Sequence, residues 1–337
     1  MTNNLEKTKK ITVSDIATLA GVSPATVSRV TNQRSIVSDE TYAKVTNAMN
    51  ELGYTISKQP DLSDLPKLIL LNLPSFSNPF YDEIIKGARV SVERHSYTAL
   101  INEELINYNT IDHVLKIIKQ NQIAGFITMN SIETPLLKKL SDATCVVQCC
   151  EYNEDVDLPY VSIDDTAAAK NAVEYLIAQG KRKIAFINGP IQYKYAKHRL
   201  AGYIKAHEEA GIPVCNDYII QLPEIDSDIA SSSAIQLLGL NNPPDAFFVI
   251  SDIYGGAVLR ACHLTGKAVP EQVAVVGFDN LEICKIFIPS LSSISQPKSQ
   301  LGYMAAEILF EKLADPSIPN KKILLDTELI VRESSSK

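Results

Sequence analysis

Apolar residues follow two different rhythms along this chain. From Ile11 to Tyr54 they recur every three or four positions, the spacing of amphipathic helices. Ile16, Ala17, Leu19 and Ala20 form the apolar face of a first helix, with Ser14 placed to cap it by accepting a bond from an orphan amide. Gly21-Val22-Ser23 breaks that helix, since Gly tolerates the left-handed conformation a helix end needs. Ser23 is a cap for a second helix from Pro24 to about Thr31, and Pro suits a first helical position because its missing N–H costs nothing there. Val27 and Val30 point inward, leaving Ala25, Thr26, Ser28 and Arg29 to face out. A third helix starts at Ser38 with Asp39 and Glu40 favourably in its first turn. Its Val45, Ala48, Met49 and Leu52 pack on the first two helices, and Gly53 ends it. Helix, glycine-containing turn and short polar helix make a helix-turn-helix, although the pattern alone also admits a small helical hairpin of no such use.

From Leu68 the rhythm changes. Short apolar runs alternate with helix-length amphipathic segments: LILLNL then Phe80 to Arg94, YTALIN then a helix through Lys119, IAGFITM, a short helix, and TCVVQCC. After Val161-Ser162-Ile163 the series restarts with a helix from about Thr166 to Gln179, strand KIAFIN and a helix from Tyr195 to Ala210. A strand near Tyr218 to Leu222, a helix from Ile229 to Leu238, strand AFFVIS, a helix from Gly255 to Thr265 and strand VAVVGF complete it. Nearly continuous apolar strands separated by helices mean parallel sheets covered on both faces. Two such series predict two doubly wound subdomains with a cleft between them, and ligands bind such sheets beyond the carboxyl ends of the strands.

Composition leaves this picture intact and narrows it. The 337 residues are 45% hydrophobic and 21% charged, enough for two or three compact units. The formal charge of -7 is not that of a nucleic-acid binder as a whole, but it is unevenly spread. Residues 1–60 carry seven Lys and Arg against five acids, so the head is about +2 and the remainder about -9. Phosphate contacts need only local positive charge. Lys7 to Lys10 form a basic arm ahead of the first helix, either a solvated tail or a phosphate contact. The polar N-terminus lacks the apolar core of a secretory signal, and no apolar run approaches roughly 18 residues, so a cytoplasmic protein without a membrane span is expected. The six Cys show neither paired nor zinc-like spacing and read as reduced thiols, Cys149 and Cys150 lying together in an apolar run. No metal or cofactor is expected.

The string D-I-A-x-x-A-G-V-S-x-A-T-V-S-R-V at Asp15 to Val30, with Asn32, Val37-Ser38 and Glu51-Leu52-Gly53-Tyr54, closely resembles the DNA-binding head of the LacI/GalR repressor family. The resemblance continues through Ser77 to Tyr81, Val161 to Asp165, Gly189-Pro190, Arg199 to Tyr203, Ser251-Asp252, VVGFDN ending at Asn280, and PSLSSISQP ending at Pro297. It implies an all-α helix-turn-helix head on an α/β core of two doubly wound subdomains like a periplasmic binding protein. The implied parts are a head at 1–57, a linker at 58–67 and an effector-binding and dimerisation body at 68–337. The body would divide into an N-subdomain (68–163 and 294–324) and a C-subdomain (164–293 and 325–337), with crossings near Ile163, Ser293 and Leu325. Helices near Pro79 to Arg94 and Gln300 to Leu313 are candidates for the dimer contact, or they merely cover the sheet.

In the family, the second helix enters the major groove. Carried over, Pro24, Ala25 and Thr26 face the bases, followed by Arg29, which can bond both O6 and N7 of a guanine. Thr26, Ser28 and Asn32 are phosphate or cap contacts. The linker departs from the family. Ile56 replaces the usual Pro, Pro60 and Pro66 disfavour a continuous helix, and Asp61 and Asp64 would face phosphates. A flexible hinge is expected, with Leu62 or Leu65 left as candidates for a minor-groove wedge.

Post-strand loops supply the candidate effector site: Asn78, Phe80, Tyr81, Glu151, Tyr152, Tyr195, Arg199, Ser251, Asp252, Tyr254, Asp279 and Asn280. Carboxylates, amides, Arg and aromatic faces are what a polar, ring-shaped metabolite requires. Arg199 and Asp279 match the family's recurrent ligand residues, with an interdomain salt bridge as the alternative. Asp252 is also placed to cap the following helix. Ser251 stands where many relatives have Asn. The string from Glu151 to Asp165 resembles the cytidine-repressor branch, so sugar and nucleoside both stand as effector classes. The expectation is a homodimeric regulator, a repressor, reading a pseudo-palindromic operator in double-stranded DNA. A small-molecule receptor without DNA output would leave the head unexplained. An enzyme finds no support, because the chain has no G-x-G-x-x-G, G-x-S-x-G or Walker A string and no recognisable His triad.

Overall fold

The computed structural model describes residues 11–32, 37–54 and 67–336, with the side chain of Asn32 excepted. The basic arm at Lys7 to Lys10 and the linker positions Ile56 to Pro66 lie outside the described residues. The chain divides into two compact units, Met1–Leu65 and Pro66–Lys337.

The first unit is built from α1 (Val13–Ala20), α2 (Pro24–Asn32) and α3 (Asp39–Glu51). Thr12, not Ser14, caps α1. Its side chain accepts from the Asp15 amide, and the Asp15 carboxylate accepts the Thr12 amide in return, a reciprocal capping box. Gly21 closes the helix at φ 66°, where a Cβ would be strained. Ser38 caps α3 as its sequence suggests. Ile16, Ala17, Val27, Val30, Val45, Ala48 and Met49 form the core of this unit. Leu19, expected on the apolar face, stays 45% exposed.

The second unit holds two six-stranded sheets. The first runs in the order β11-β5-β4-β3-β1-β2, with β1 (Leu68–Asn72), β2 (Thr98–Asn102), β3 (Ile123–Thr128), β4 (Cys145–Cys149), β5 (Tyr160–Ile163) and β11 (Lys322–Leu325). All its pairings are parallel. The second runs β12-β10-β9-β8-β6-β7, with β6 (Ile184–Asn188), β7 (Ile219–Gln221), β8 (Ala246–Val249), β9 (Ala274–Asp279), β10 (Ser292–Ser295) and β12 (Glu328–Ile330). Here β12 is an antiparallel edge, and the other pairings are parallel. Inner strands such as β6, β8 and β9 are buried along their whole length, because helices cover both faces.

Those helices are α4 (Phe80–Arg94), α5 (Ile111–Gln120), α6 (Thr134–Ala143), α7 (Asp165–Ala178), α8 (Lys194–Glu209), α9 (Ser227–Leu238), α10 (Asp252–Leu264) and α11 (Lys298–Ala314). The chain passes from the first sheet to the second after β5, back after β10, and over again between β11 and β12. Since Ser295 still pairs in the second sheet, the return comes after it, a little beyond Ser293. Leu325 still pairs in the first sheet, so the last passage falls after it. The helices proposed for the dimer contact, α4 and α11, pack on each other. A Cβ on Gly87 would lie 1.9 Å from the Ser299 carbonyl oxygen, and one on Gly302 would lie 1.9 Å from that of Ile84. Those faces are therefore occupied within one chain.

Candidate functional site

Two sets of side chains carry the chemistry. In the helical unit, the Ser23 hydroxyl accepts the Thr26 amide at 3.1 Å and starts α2, whose Val27 and Val30 are buried. The opposite face presents Pro24, Ala25, Ser28 and Arg29 to solvent, with Thr26 half-buried. The Thr26 hydroxyl lies 2.9 Å from that of Ser23, so it belongs to the cap. The remaining exposed face is short, carries one cation and is small enough for a DNA major groove. The Asn32 side chain lies outside the described atoms.

In the α/β unit, loops at the ends of strands from both sheets enclose one cavity, with an empty volume of about 530 Å³ counted out to its open mouth. Asn78, Phe80, Tyr81 and Glu151 line it from the first sheet's side, and Tyr195, Arg199, Ser251 and Asp279 from the second's. Eight of the twelve side chains read from sequence as effector-site candidates thus line one space, and Tyr152, Tyr254 and Asn280 do not. Nor does Asp252. It is fully buried behind the wall, where its carboxylate accepts the Ser293 hydroxyl at 2.6 Å and the Leu281 amide at 2.7 Å. Nor does it cap α10, because Ser251 does, accepting from the Tyr254 amide. Ser251 is the cap and Asp252 the first residue of α10, so the chain turns into the helix between them.

Sequence reasoning missed Asp165 and Gln296, which also line the cavity. Asp165 is the hub of the wall: Arg199 Nε donates to it at 2.8 Å and Lys194 Nζ at 2.6 Å. Burial opposes its charge, but Arg199 and Lys194 outweigh burial and hold its pKa below the ordinary carboxylate value. Arg199 also donates to the Ile250 carbonyl at 2.6 Å, and its guanidinium lies 3.5 Å from the centroid of the Phe278 ring. The signal for Asp165 was available, as it follows β5 by two residues, at a strand end like the others.

Asp279 faces a different balance. Burial pushes its carboxyl up to about 8 against the pull of Arg199, which stands 4.0 Å away, and nearby Asp252 adds to the rise. Gln296 donates to it at 2.8 Å. Its backbone sits at φ 101° and that of Asn280 at φ 49°, a left-handed stretch that costs roughly 1–3 kcal/mol per residue and persists only where surroundings impose it. Lys298, only 4% exposed, helps to hold it by donating to the Asp279 carbonyl at 2.5 Å and the Asn280 carbonyl at 3.3 Å, together with Ser293 and Arg332 on Asn280. Glu151 spans the cleft: it accepts the amides of Lys194 at 2.8 Å and Tyr195 at 3.2 Å, at the start of α8. Burial raises its pKa, and Lys194 partly offsets that.

The thiols of Cys149 and Cys150 lie 3.8 Å apart, and all six cysteines are free. No helix among the described residues is long and apolar enough to cross a membrane.

Comparison with known proteins gives a consistent result. Residues 12–57 match the bacterial regulatory proteins of the lacI family, and residues 173–335 match a periplasmic binding protein-like domain. The chain is 32% identical to the HTH-type transcriptional repressor CytR of Escherichia coli (strain K12) over 96% of each protein. It is 30% identical to the HTH-type transcriptional regulator DegA of Bacillus subtilis (strain 168), over 97% of this chain and 98% of that one. Among solved structures, the transcriptional regulator CelR in its cellobiose complex aligns with TM-score 0.73 at 28% identity, over 96% of this chain and all of the other.

Proposed function

The chain belongs to the lacI family of bacterial regulatory proteins and is a DNA-binding transcriptional regulator rather than an enzyme, and from that premise we propose how its parts divide the work. Residues 1–57 are the DNA-reading head, 58–67 the linker and 68–337 the effector-binding and dimerising body. Arg29 reads a guanine edge, Pro24 and Ala25 shape the contact, and Thr26, Ser28 and Asn32 hold the helix and the phosphates. The protein works in the cytoplasm as a homodimeric repressor, a reading supported by its relative CytR, a transcriptional repressor. Two heads related by a twofold axis read a pseudo-palindrome.

The observation that carries the effector reading is the convergence of Asn78, Phe80, Tyr81, Glu151, Arg199, Ser251 and Asp279, from both sheets, on one cavity. A small polar metabolite, sugar or nucleoside, bound there touches both lobes at once and shifts the balance between open and closed clefts. Operator and effector affinities are then linked reciprocally. The CelR structure is a complex with cellobiose, which supports the sugar class.

Gel-shift titration against DNA upstream of the protein's own gene tests the first half. A retarded complex that footprints on a palindrome is expected, and failure on that DNA and on a selected random pool would overturn it. Calorimetric titration with sugars and nucleosides tests the second half; no binding by either panel would sink it.

A further inference from the structure

The helix-start amides and the cationic side chains at and behind the wall of this cleft have partners within the chain itself. Two devices that proteins use to seize phosphates and carboxylates are present, the amides at a helix start and a buried guanidinium. Both are filled. Glu151 Oε2 and Oε1 take the Lys194 and Tyr195 amides that open α8. Asp165 takes Nε of Arg199, while the Ile250 carbonyl takes another of its N–H groups. The Lys194 ammonium is spent on Asp165 and on the Ser162 hydroxyl at 3.2 Å. Lys298 is turned onto two backbone carbonyls, with Glu83 at 3.9 Å. Glu151, Asp165, Arg199, Asp279 and Lys298 are all at most 6% exposed, so these partners are not exchanged for water at little cost.

We propose that the cleft accepts an electrically neutral, hydroxyl-bearing molecule and rejects its phosphorylated and carboxylated counterparts. This deepens the effector reading above and rests on it. An entering anion has two courses. It can displace Glu151 or Asp165, leaving a buried carboxylate unpaired, or it can sit unpaired beside them; both are unfavourable in a poorly hydrated site. A neutral ligand meets neither penalty. Its hydroxyls donate to the carboxyls of Glu151 and Asp279, and the side chains of Asn78, Tyr195, Ser251 and Gln296 complete the polar lining.

The test uses full-length protein and two kinds of probe. Calorimetric titration with pairs differing only in charge, ribose against ribose 5-phosphate and nucleosides against their 5′-monophosphates, should show the neutral member binding at least about tenfold more tightly, roughly 1.4 kcal/mol. A phosphorylated member binding as tightly or more so overturns the proposal. Inorganic phosphate probes the occlusion without knowledge of the effector. It should give no saturable heat with the wild type and should bind once Asp165→Asn or Glu151→Ala removes an occluding carboxylate. The second variant serves if the first does not fold. Saturable phosphate binding by the wild-type cleft, or no gain in either variant, overturns the proposal. If the variants gain phosphate but no neutral compound binds the wild type, the metabolite reading falls and the occlusion stands.

Discussion

Glu151 Oε2 accepts the backbone amide of Lys194 at 2.8 Å, across the cleft between the two sheets. The carboxylate comes from the loop after β4, and the amide opens α8 beside the other sheet. With Tyr195 donating at 3.2 Å to Oε1, one side chain caps a helix and joins two lobes. Replacing Glu151 with Ala leaves two amides at a helix start without their partner. A loss of about 1–2 kcal/mol is expected, the size of a missing helix cap. Urea denaturation monitored by circular dichroism measures it, and an unchanged midpoint would show that the bond contributes nothing to stability.

Arg29→Ala tests the DNA-reading face. Loss of a bidentate guanine contact should weaken binding by about 1–3 kcal/mol at one matched base pair and relax preference there. Binding measured over a set of single-base operator variants shows this directly. An equal loss on every sequence would make Arg29 a phosphate clamp.

Asp279 should make stability depend on pH with a sign opposite to that of most carboxylates. Burial raises its folded-state pKa to about 8, above the ordinary value of 3.8. Between those values the folded state holds the proton and the unfolded state has lost it, so folding takes up a proton, and raising pH makes that uptake costlier and destabilises the fold. Its contribution is complete below about pH 4, declines as pH rises towards 8 and is lost above that. Asp279→Asn should therefore flatten the stability profile between pH 5 and 8 relative to the wild type. Melting curves of both proteins across that range check it, and parallel profiles would place the charge change elsewhere.

Gly302→Ala should be among the more damaging methyl additions in this protein. The new Cβ would meet the Ile84 carbonyl oxygen at 1.9 Å, a backbone atom that cannot rotate away. Overpacking of this kind costs about 1–3 kcal/mol, and separating α4 from α11 would add to it. Gly211→Ala is a useful contrast: it has open space within 4 Å but sits at φ 65°, so its penalty is conformational alone. Equilibrium unfolding should rank Gly302→Ala as the more destabilising.

Thr12→Ala removes the hydroxyl side of the capping box at α1 and leaves the Thr12 amide on the Asp15 carboxylate; about 1 kcal/mol of helix-unit stability should go with the hydroxyl, whereas Ser14→Ala should change little. Thermal unfolding followed on the isolated signals of α1 amides separates the two. Equal effects would return the cap to Ser14.

How far the chain is legible without coordinates depends on the range of the interaction. The helix-turn-helix, the alternation of strands and helices and the burial of Val27, Val30, Val45, Ala48 and Met49 follow from spacing of 3.6 and 2 residues, which neighbouring positions carry by themselves. The same locality explains why residues at or beyond strand ends, Asn78, Glu151, Arg199 and Asp279 among them, could be picked as cavity walls: in a parallel sheet the carboxyl ends of all strands open onto one edge. Even there, one residue's difference separated Ser251 in the cavity from Asp252 behind it, because a helix begins between them. Pairings across the chain were beyond such reading. Glu151 meets an amide 43 positions away, Arg199 meets Asp165 34 positions away, and Lys298 bends a carbonyl 19 positions back. Sequence marked many of the groups that line the cleft, though not Asp165 or Gln296. Only the path of the chain through three passages between the sheets decided which of them are already spoken for, since a charge's partner is set by distance in space and not by its place in a period.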